Sequence, residues 1–324
     1  MIHLKNKYAL VADIGGTNTR VALANRYQIV SETIRRDSNA DYSSLENVLR
    51  HYIDEEGGVD PIAACVAVAG PVRDGRATMT NLNWTIDENT LANATKAEKV
   101  AILNDLQAQG HALGHINDAY VTTIIDGPTS LPHAAQLVIG VGTGFNVAPV
   151  FDTEQGRLVT PSESGHVNLP IRTERELKLS QFVSKGYGFT AIEDVVSGRG
   201  LERIYAFLSE EAGSPAEASA KVIMAACADE SNPQASEAAH IFTRILGTVC
   251  GDMSLTHLPF GGIHLAGGVA RAFAPYLVEF GFVDAFYDKG RFAGFMGNFR
   301  VSVIEDDYAA LIGSAAHLVA LFDS

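Results

Sequence analysis

The chain has 324 residues, 47 % of them hydrophobic and 19 % charged, and a formal net charge of −14. Its length suits two domains or one large α/β domain, and its composition is that of an ordinary globular protein rather than a disordered one. The acidity argues against a nucleic-acid partner, which needs a basic face to neutralise phosphates.

The first residues, MIHLKNKYALVADIGG, lack a long apolar core followed by a small-residue cleavage site, so no signal peptide is expected. No apolar run is long enough to span a bilayer, which argues against a membrane partner. Cys65, Cys227 and Cys250 are scattered, odd in number and form no C-x-x-C pair. Neither a disulfide framework nor a structural zinc site is expected, and the predicted location is cytoplasmic.

Tyr8 to Asn25, YALVADIGGTNTRVALAN, reads as strand, tight turn, strand. A dinucleotide fingerprint or a Walker loop would run from a strand into a helix, and no helical period follows these glycines. The turn is therefore a glycine hairpin whose backbone N–H groups can still cradle an anion. In YSSLENVLRHYI, Leu45, Val48, Leu49 and Tyr52 recur at helical spacing behind a predicted Ser43–Glu46 capping box. CVAVAGPV, from Cys65 to Val72, is a strand ending in an Ala-Gly turn. In KVAILNDLQAQGHALG a buried strand meets a helix at Asn104 and Asp105. Ligands of α/β sheets bind at such carboxyl ends of strands, and Asn and Asp also cap helices there, so both readings stand.

QLVIGVGTGFNVAPV, from Gln136 to Val150, repeats the opening pattern. Leu10 to Gly15 aligns without a gap over Leu137 to Gly142, with Asp13 opposite Gly140. IHLAGGVA, from Ile263 to Ala270, matches the earlier CVAVAGPV in the same order, which predicts a duplicated architecture. In TPSESGHVNLP, Glu163 and His166 lie three apart, as a solvated loop or as part of a site; a metal would need further ligands. Glu193 and Asp194 precede a predicted loop Ser197-Gly198-Arg199-Gly200, and on a helix one of the two carboxylates would face solvent. Ser209 to Ser219 reads as a surface loop. The helical stretch from Ser236 to Leu258 carries Ile241, Ile245, Val249 and Leu255, with Gly247 and Gly251 placed for close approach of a neighbour. The last residues, YAALIGSAAHLVALF from Tyr308 to Phe322, read as a helix expected to pack onto the first domain. Alternating strands and helices make the fold class α/β.

Taken together, VADIGGTNTRVALA, AGPV with MTNLNW, ILNDLQA, GVGTGFNVA, SESGHV, EDVVSGRGL, GGIHLAGGVA, DKGRF and LIGSAAHL occur in the order seen in bacterial glucokinases of the non-ROK type. The chain resembles that family from Leu10 to Leu318. The resemblance implies a two-domain actin/hexokinase-like (RNase H-like) fold with an interdomain cleft, with a small domain of residues 1–114 plus 307–324 and a large one of residues 115–306. It implies ATP-dependent phosphorylation of glucose at O6. Asp105 matches the general base, and Asn104, Asp105, Glu163, His166 and Glu193 match the sugar ligands. Gly15, Gly16, Thr17 and Asn18 match the first phosphate loop, Gly142, Thr143 and Gly144 the second, and Gly267 and Gly268 the turn beside the adenosine. Asp13 matches the acid that reaches the nucleotide's Mg2+, commonly through water. A homodimer is implied as well.

The chain departs from the family's pattern at Asn146, Ser162 and Ser164, where glycine is common, and EDDYAALIGSAAHL lacks the Pro-Gly that the family often carries before its Leu-Leu-Gly. The sugar-contact residues remain in place, while the changes bear on nucleotide preference and sugar selectivity. The cysteine cluster of ROK kinases is absent. Alternative readings are a kinase for mannose, fructose or an N-acetylated amino sugar, and a non-catalytic sugar sensor. Against the sensor stand Asp105 and the absence of an evident DNA-binding segment before Tyr8. A chaperone-type ATPase would need a large peptide-binding extension.

Overall fold

The structure is a computed structural model that describes residues 8–79, 82–186, 188–229 and 231–323. The N-terminal residues 1–7 read above for a signal peptide, and Thr80 and Asn81 of the MTNLNW motif, lie outside the described residues. The described chain forms two compact units. One holds residues 8–118, 153–161 and 306–323, and the other residues 119–152 and 162–305.

In the first unit, β1 (Ala9–Ile14) and β2 (Asn18–Asn25) make an antiparallel hairpin with Ile14 opposite Thr19, as the strand–turn–strand pattern predicts. β3 (Gln28–Ile29) and β4 (Arg35–Ser38) pair with β2. α1 (Leu45–Glu55) buries the predicted Leu45, Val48, Leu49 and Tyr52. Its N-cap is Ser44, which makes no side-chain cap bond, while Ser43 Oγ accepts from Asn47 Nδ2 at 2.8 Å. The predicted Ser43–Glu46 box does not form, because the helix starts one residue later than that box requires.

β5 (Ala63–Val68), buried at every position, runs parallel to β1. A small sheet of β6 (Val72–Arg73), β7 (Arg76–Met79) and β8 (Trp84–Asp87) leads into α2 (Glu88–Thr95). β9 (Lys99–Asn104) then joins β5 in parallel and turns into α3 (Asp105–Ala112). The main sheet order is β3-β2-β1-β5-β9.

The second unit contains β10 (Val121–Ile125), β11 (Gln136–Val141) and β12 (Phe145–Thr153). The following β13 (Gly156–Val159) groups with the first unit. There Gln107 Nε2 donates to the Val159 carbonyl at 3.0 Å, and the Arg157 guanidinium donates to the carbonyls of Gly110 and Leu113 at the end of α3. The second unit continues with α4 (Glu174–Ser184), α5 (Gly198–Glu211), α6 (Ala220–Ala228) and α7 (Pro233–His257). It closes with β14 (Gly262–Ala266), α8 (Gly268–Phe273), α9 (Phe282–Tyr287) and β15 (Val301–Ile304). The predicted surface loop is shorter than expected, since Ser209 to Glu211 end α5 and Ser219 caps α6.

The last helix, α10 (Ala309–Asp323), returns to the first unit. Leu311, Ala315 and Leu318 bury there against Val11, Ala22, Cys65 and Ala108. Among the described residues all three cysteines are free and buried.

The two sheets repeat one topology. β2 is antiparallel to β1, which is parallel to β5 and then β9; β12 is antiparallel to β11, which is parallel to β14 and then β15. The aligned sequence pairs thus occupy equivalent strands. Each hairpin lies at the carboxyl end of its parallel core, the edge where α/β sheets bind ligands.

Gly247 and Gly251 on α7 face α9 as their spacing predicts, and a Cβ at Gly247 would overlap the Phe282 carbonyl. Gly247→Val should therefore separate the helices and destabilise the protein by about 2 kcal/mol, lowering the thermal midpoint by several degrees. Gly294→Ala, which enters open space, should change stability by less than about 0.5 kcal/mol in the same calorimetric scan.

Candidate active site

Hydrophobic strands hold the acids of the first unit. β1 and β9 flank β5, with Asp13 in register with Ala67 and Asn104 with Val68, so Asp13, Asn104 and Asp105 gather at one sheet edge. Across the hairpin Asp13 faces Arg20, whose guanidinium reaches Asp13 Oδ2 at 3.3 Å. Burial raises the Asp13 carboxyl above its ordinary range, and Arg20 opposes that shift. Asp105 is pushed up to about 7, first by burial and then by the charge of Asp13. The Leu106 N–H, donated to Asp105 Oδ1 at 2.8 Å, pulls the other way. A carboxyl in this state exchanges a proton near neutral pH, which suits a general base.

Asn104 fulfils the capping reading as well. Its Oδ1 accepts from Leu106 N at 3.0 Å, and its own N–H donates to Gln107 Oε1 at 3.1 Å, a capping box. Its Nδ2 donates to the Gly70 carbonyl at 2.9 Å. That fixes the amide, which also bonds the Asp105 carboxylate and opposes the upward shift there.

The first glycine turn is closed by Gly15 N donating to Asn18 O at 3.0 Å, with Gly16 and Thr17 exposed at its tip. A residue that sequence reasoning missed supports it. Asn39 is buried; its N–H donates to Thr17 O at 2.9 Å and its Nδ2 to Gly15 O at 2.8 Å, while its Oδ1 accepts from Thr19 Oγ1 at 2.7 Å. Nothing in its local sequence marked it, because its partners lie some twenty residues upstream.

In the second unit Gly142 N donates to Gly144 O at 2.9 Å, Gly198 N donates to Gly142 O at 2.9 Å, and Thr143 is exposed. Gly267 follows β14 at φ +102°, a conformation that favours glycine, and Gly268 opens α8. Glu163 and His166 are exposed side chains with Oε2 and Nε2 4.0 Å apart. Glu193 N donates to Gly165 O at 2.9 Å, which brings Glu193 beside that loop. The Glu193 carboxylate already accepts from Phe145 N at 3.0 Å and pairs with Arg199 at 3.3 Å. Asp194 is structural, accepting from Ala191 N at 2.9 Å and from Arg203 at 2.7 Å. The predicted loop from Ser197 to Gly200 is the capped first turn of α5, with Ser197 Oγ accepting from Gly200 N. Among the described residues there is no group of three or more metal-ligating side chains, and no helix is long and apolar enough to cross a membrane.

Two topologically equivalent α/β sheets, each with a glycine–threonine hairpin at the carboxyl end of its parallel strands, make up the actin/hexokinase-like fold shared with solved sugar kinases. The family model described as Glucokinase matches residues 10–321, so the chain belongs to the glucokinase family and is a hexose kinase; ATP-dependent phosphorylation of glucose is the family's reaction. A glucokinase of Saccharophagus degradans is 34 % identical over 315 residues, 95 % of this chain and 97 % of that protein. The crystal structure of a glucokinase from an Antarctic psychrotroph shares 30 % identity with a TM-score of 0.85, covering 97 % of this chain and 99 % of the other. The glucokinase of Balamuthia mandrillaris, solved in complex with glucose, shares the fold at a TM-score of 0.81 and 23 % identity, covering 96 % and 93 % of the two chains.

Asn39→Ala would leave the Thr19 hydroxyl and the Gly15 carbonyl without their partner. Stability should fall by about 1–3 kcal/mol, and, if the turn holds the nucleotide's phosphates as the family resemblance implies, KM for ATP should rise more than KM for glucose. Denaturant unfolding and steady-state kinetics on the same preparation check both effects.

Proposed function

We propose that the chain transfers the γ-phosphoryl group of ATP to O6 of glucose, with Asp105 as general base. The observation that carries this reading is the placement of the half-buried Asp105 carboxyl at the junction of β9 and α3, at the same end of the sheet as Asp13, where burial and the Asp13 charge push it up to about 7. Asp105 accepts the proton of the attacking hydroxyl as the O–P bond forms. Phosphoryl transfer otherwise asks mainly for positioning and charge neutralisation.

In this reading Asn104 and Asp105 hold sugar hydroxyls, and Glu163, His166 and Glu193 hold those near the anomeric end. A hexose hydroxyl both donates and accepts, and these side chains supply both functions. A site that pairs every hydroxyl rejects a sugar that lacks one, because a buried partner is then left unpaired. The turn from Gly15 to Asn18 and the turn from Gly142 to Gly144 present backbone N–H groups to the phosphates, while Gly267 and Gly268 line the adenosine.

Asp13 fits Mg2+: Arg20 engages one carboxylate oxygen, Oδ2, and Mg2+ is typically held by one or two carboxylates together with waters and substrate phosphates. When bound, the cation neutralises charge on the phosphates. A cytoplasmic homodimer completes the reading, in keeping with the chain's composition and its resemblance to the family.

Asp105→Ala should lower kcat by about 10²- to 10⁴-fold with modest change in KM. An ADP-release assay over glucose, mannose, fructose and N-acetylglucosamine tests both parts. Turnover on glucose that collapses in the variant supports the reading. Near-normal turnover in the variant removes Asp105 from the role of base, and turnover confined to another sugar reassigns the substrate.

A further inference from the structure

Asn146, the second residue of β12, is the hub of a polar cluster in the second unit. Its Oδ1 accepts from Ser164 N at 3.0 Å, from Ser162 Oγ at 3.0 Å and from its neighbour Val147 N at 2.8 Å. Its Nδ2 donates to the Ser162 carbonyl. Ser162 Oγ also lies 2.7 Å from Val147 O and 2.8 Å from Ser164 Oγ. One amide thus ties down both residues that flank Glu163.

The next residue is fixed too. Gly165 packs so closely on β12 that an added Cβ would overlap the Phe145 carbonyl, and Gly165 O accepts from Glu193 N at 2.9 Å. The backbone on both sides of Glu163 is therefore immobilised, while the Glu163 and His166 side chains project exposed from it.

We infer that Asn146 is a positioning residue for substrate binding, holding Glu163 and His166 in the geometry that receives a sugar's hydroxyls. The inference rests on the assignment of those two residues to the sugar. The physical reason is preorganisation. A loop held in its binding conformation by several hydrogen bonds loses little freedom when the sugar docks, whereas an untethered loop must be ordered at that moment. Asn146 does not touch the reacting atoms, so its loss should act on sugar affinity rather than on the chemical step. The same amide stands two residues after Gly144, so the second phosphate turn and the sugar loop are successive parts of one hydrogen-bonded body within this unit.

The test compares Asn146→Gly with the unaltered chain on glucose, 2-deoxyglucose and 1-deoxyglucose, with Glu163→Gln as reference. Removing the tether should raise KM for glucose about tenfold while kcat changes less than about twofold, the size expected from losing one or two net hydrogen bonds. The variant-to-parent KM ratio should fall toward one for the deoxy sugar lacking the hydroxyl that Glu163 grips, which a general loss of structure would not produce. Should Asn146→Gly fail to fold, Ser162→Ala carries the same readout with an expected KM rise of about threefold. An unchanged KM, or a KM ratio equal for all three sugars, overturns the inference. If Glu163→Gln itself leaves KM for glucose unchanged, the assignment of Glu163 to the sugar fails instead.

Discussion

Two carboxyls of like charge share one sheet edge in the first unit, and much of the site follows from how that repulsion is contained. Asp13 and Asp105 are carried there by β1 and β9, on either side of the fully buried β5. Burial disfavours the charged form of each, and proximity disfavours both being charged at once. Arg20 lowers the cost at Asp13, and the Leu106 N–H lowers it at Asp105. What remains unopposed leaves Asp105 protonatable near neutral pH, the condition in which it can take a proton from a hydroxyl.

The duplicated sheet supplies the rest. In each unit an antiparallel hairpin beside parallel strands brings a glycine turn to the carboxyl end of the sheet. The turns differ in what sits next to them. Asp13 and the supporting Asn39 accompany the first, while Gly140 occupies the position equivalent to Asp13 in the second. A carboxylate beside a glycine turn repels other anions unless a cation offsets it, and the first turn keeps Arg20 across the hairpin from its acid.

The fold class was legible because its signals are local. Apolar runs broken by glycine turns fix strand pairs, and the gapless match of Leu10–Gly15 with Leu137–Gly142 falls on equivalent strands, β1 and β11. Asn104 and Asp105 were legible as a junction, and the two readings are compatible there because capping uses only the amide oxygen of Asn104 and leaves its nitrogen to other acceptors. The structure departs from the local pattern where a one-residue shift matters, as at Ser43 and Ser44, or where a turn residue starts a helix, as at Gly198. What escaped was long-range. Asn39 gains its role from Gly15 and Thr19, and Asn146, Ser162 and Ser164 stand out singly in the sequence while their mutual bonding exists only after folding.

The most direct test of the central claim is the pH profile of kcat/KM, with both substrates well below KM and the fully ionised magnesium nucleotide held constant. A base with a raised pKa is active above it and is lost as pH falls through it. The profile should therefore drop about tenfold per unit below a midpoint of about 7. In Asp13→Asn, with the neighbouring charge gone, that midpoint should move to lower pH on whatever activity remains. A profile flat from pH 8 to pH 5.5, or a midpoint that stays in place without the Asp13 charge, would contradict the account.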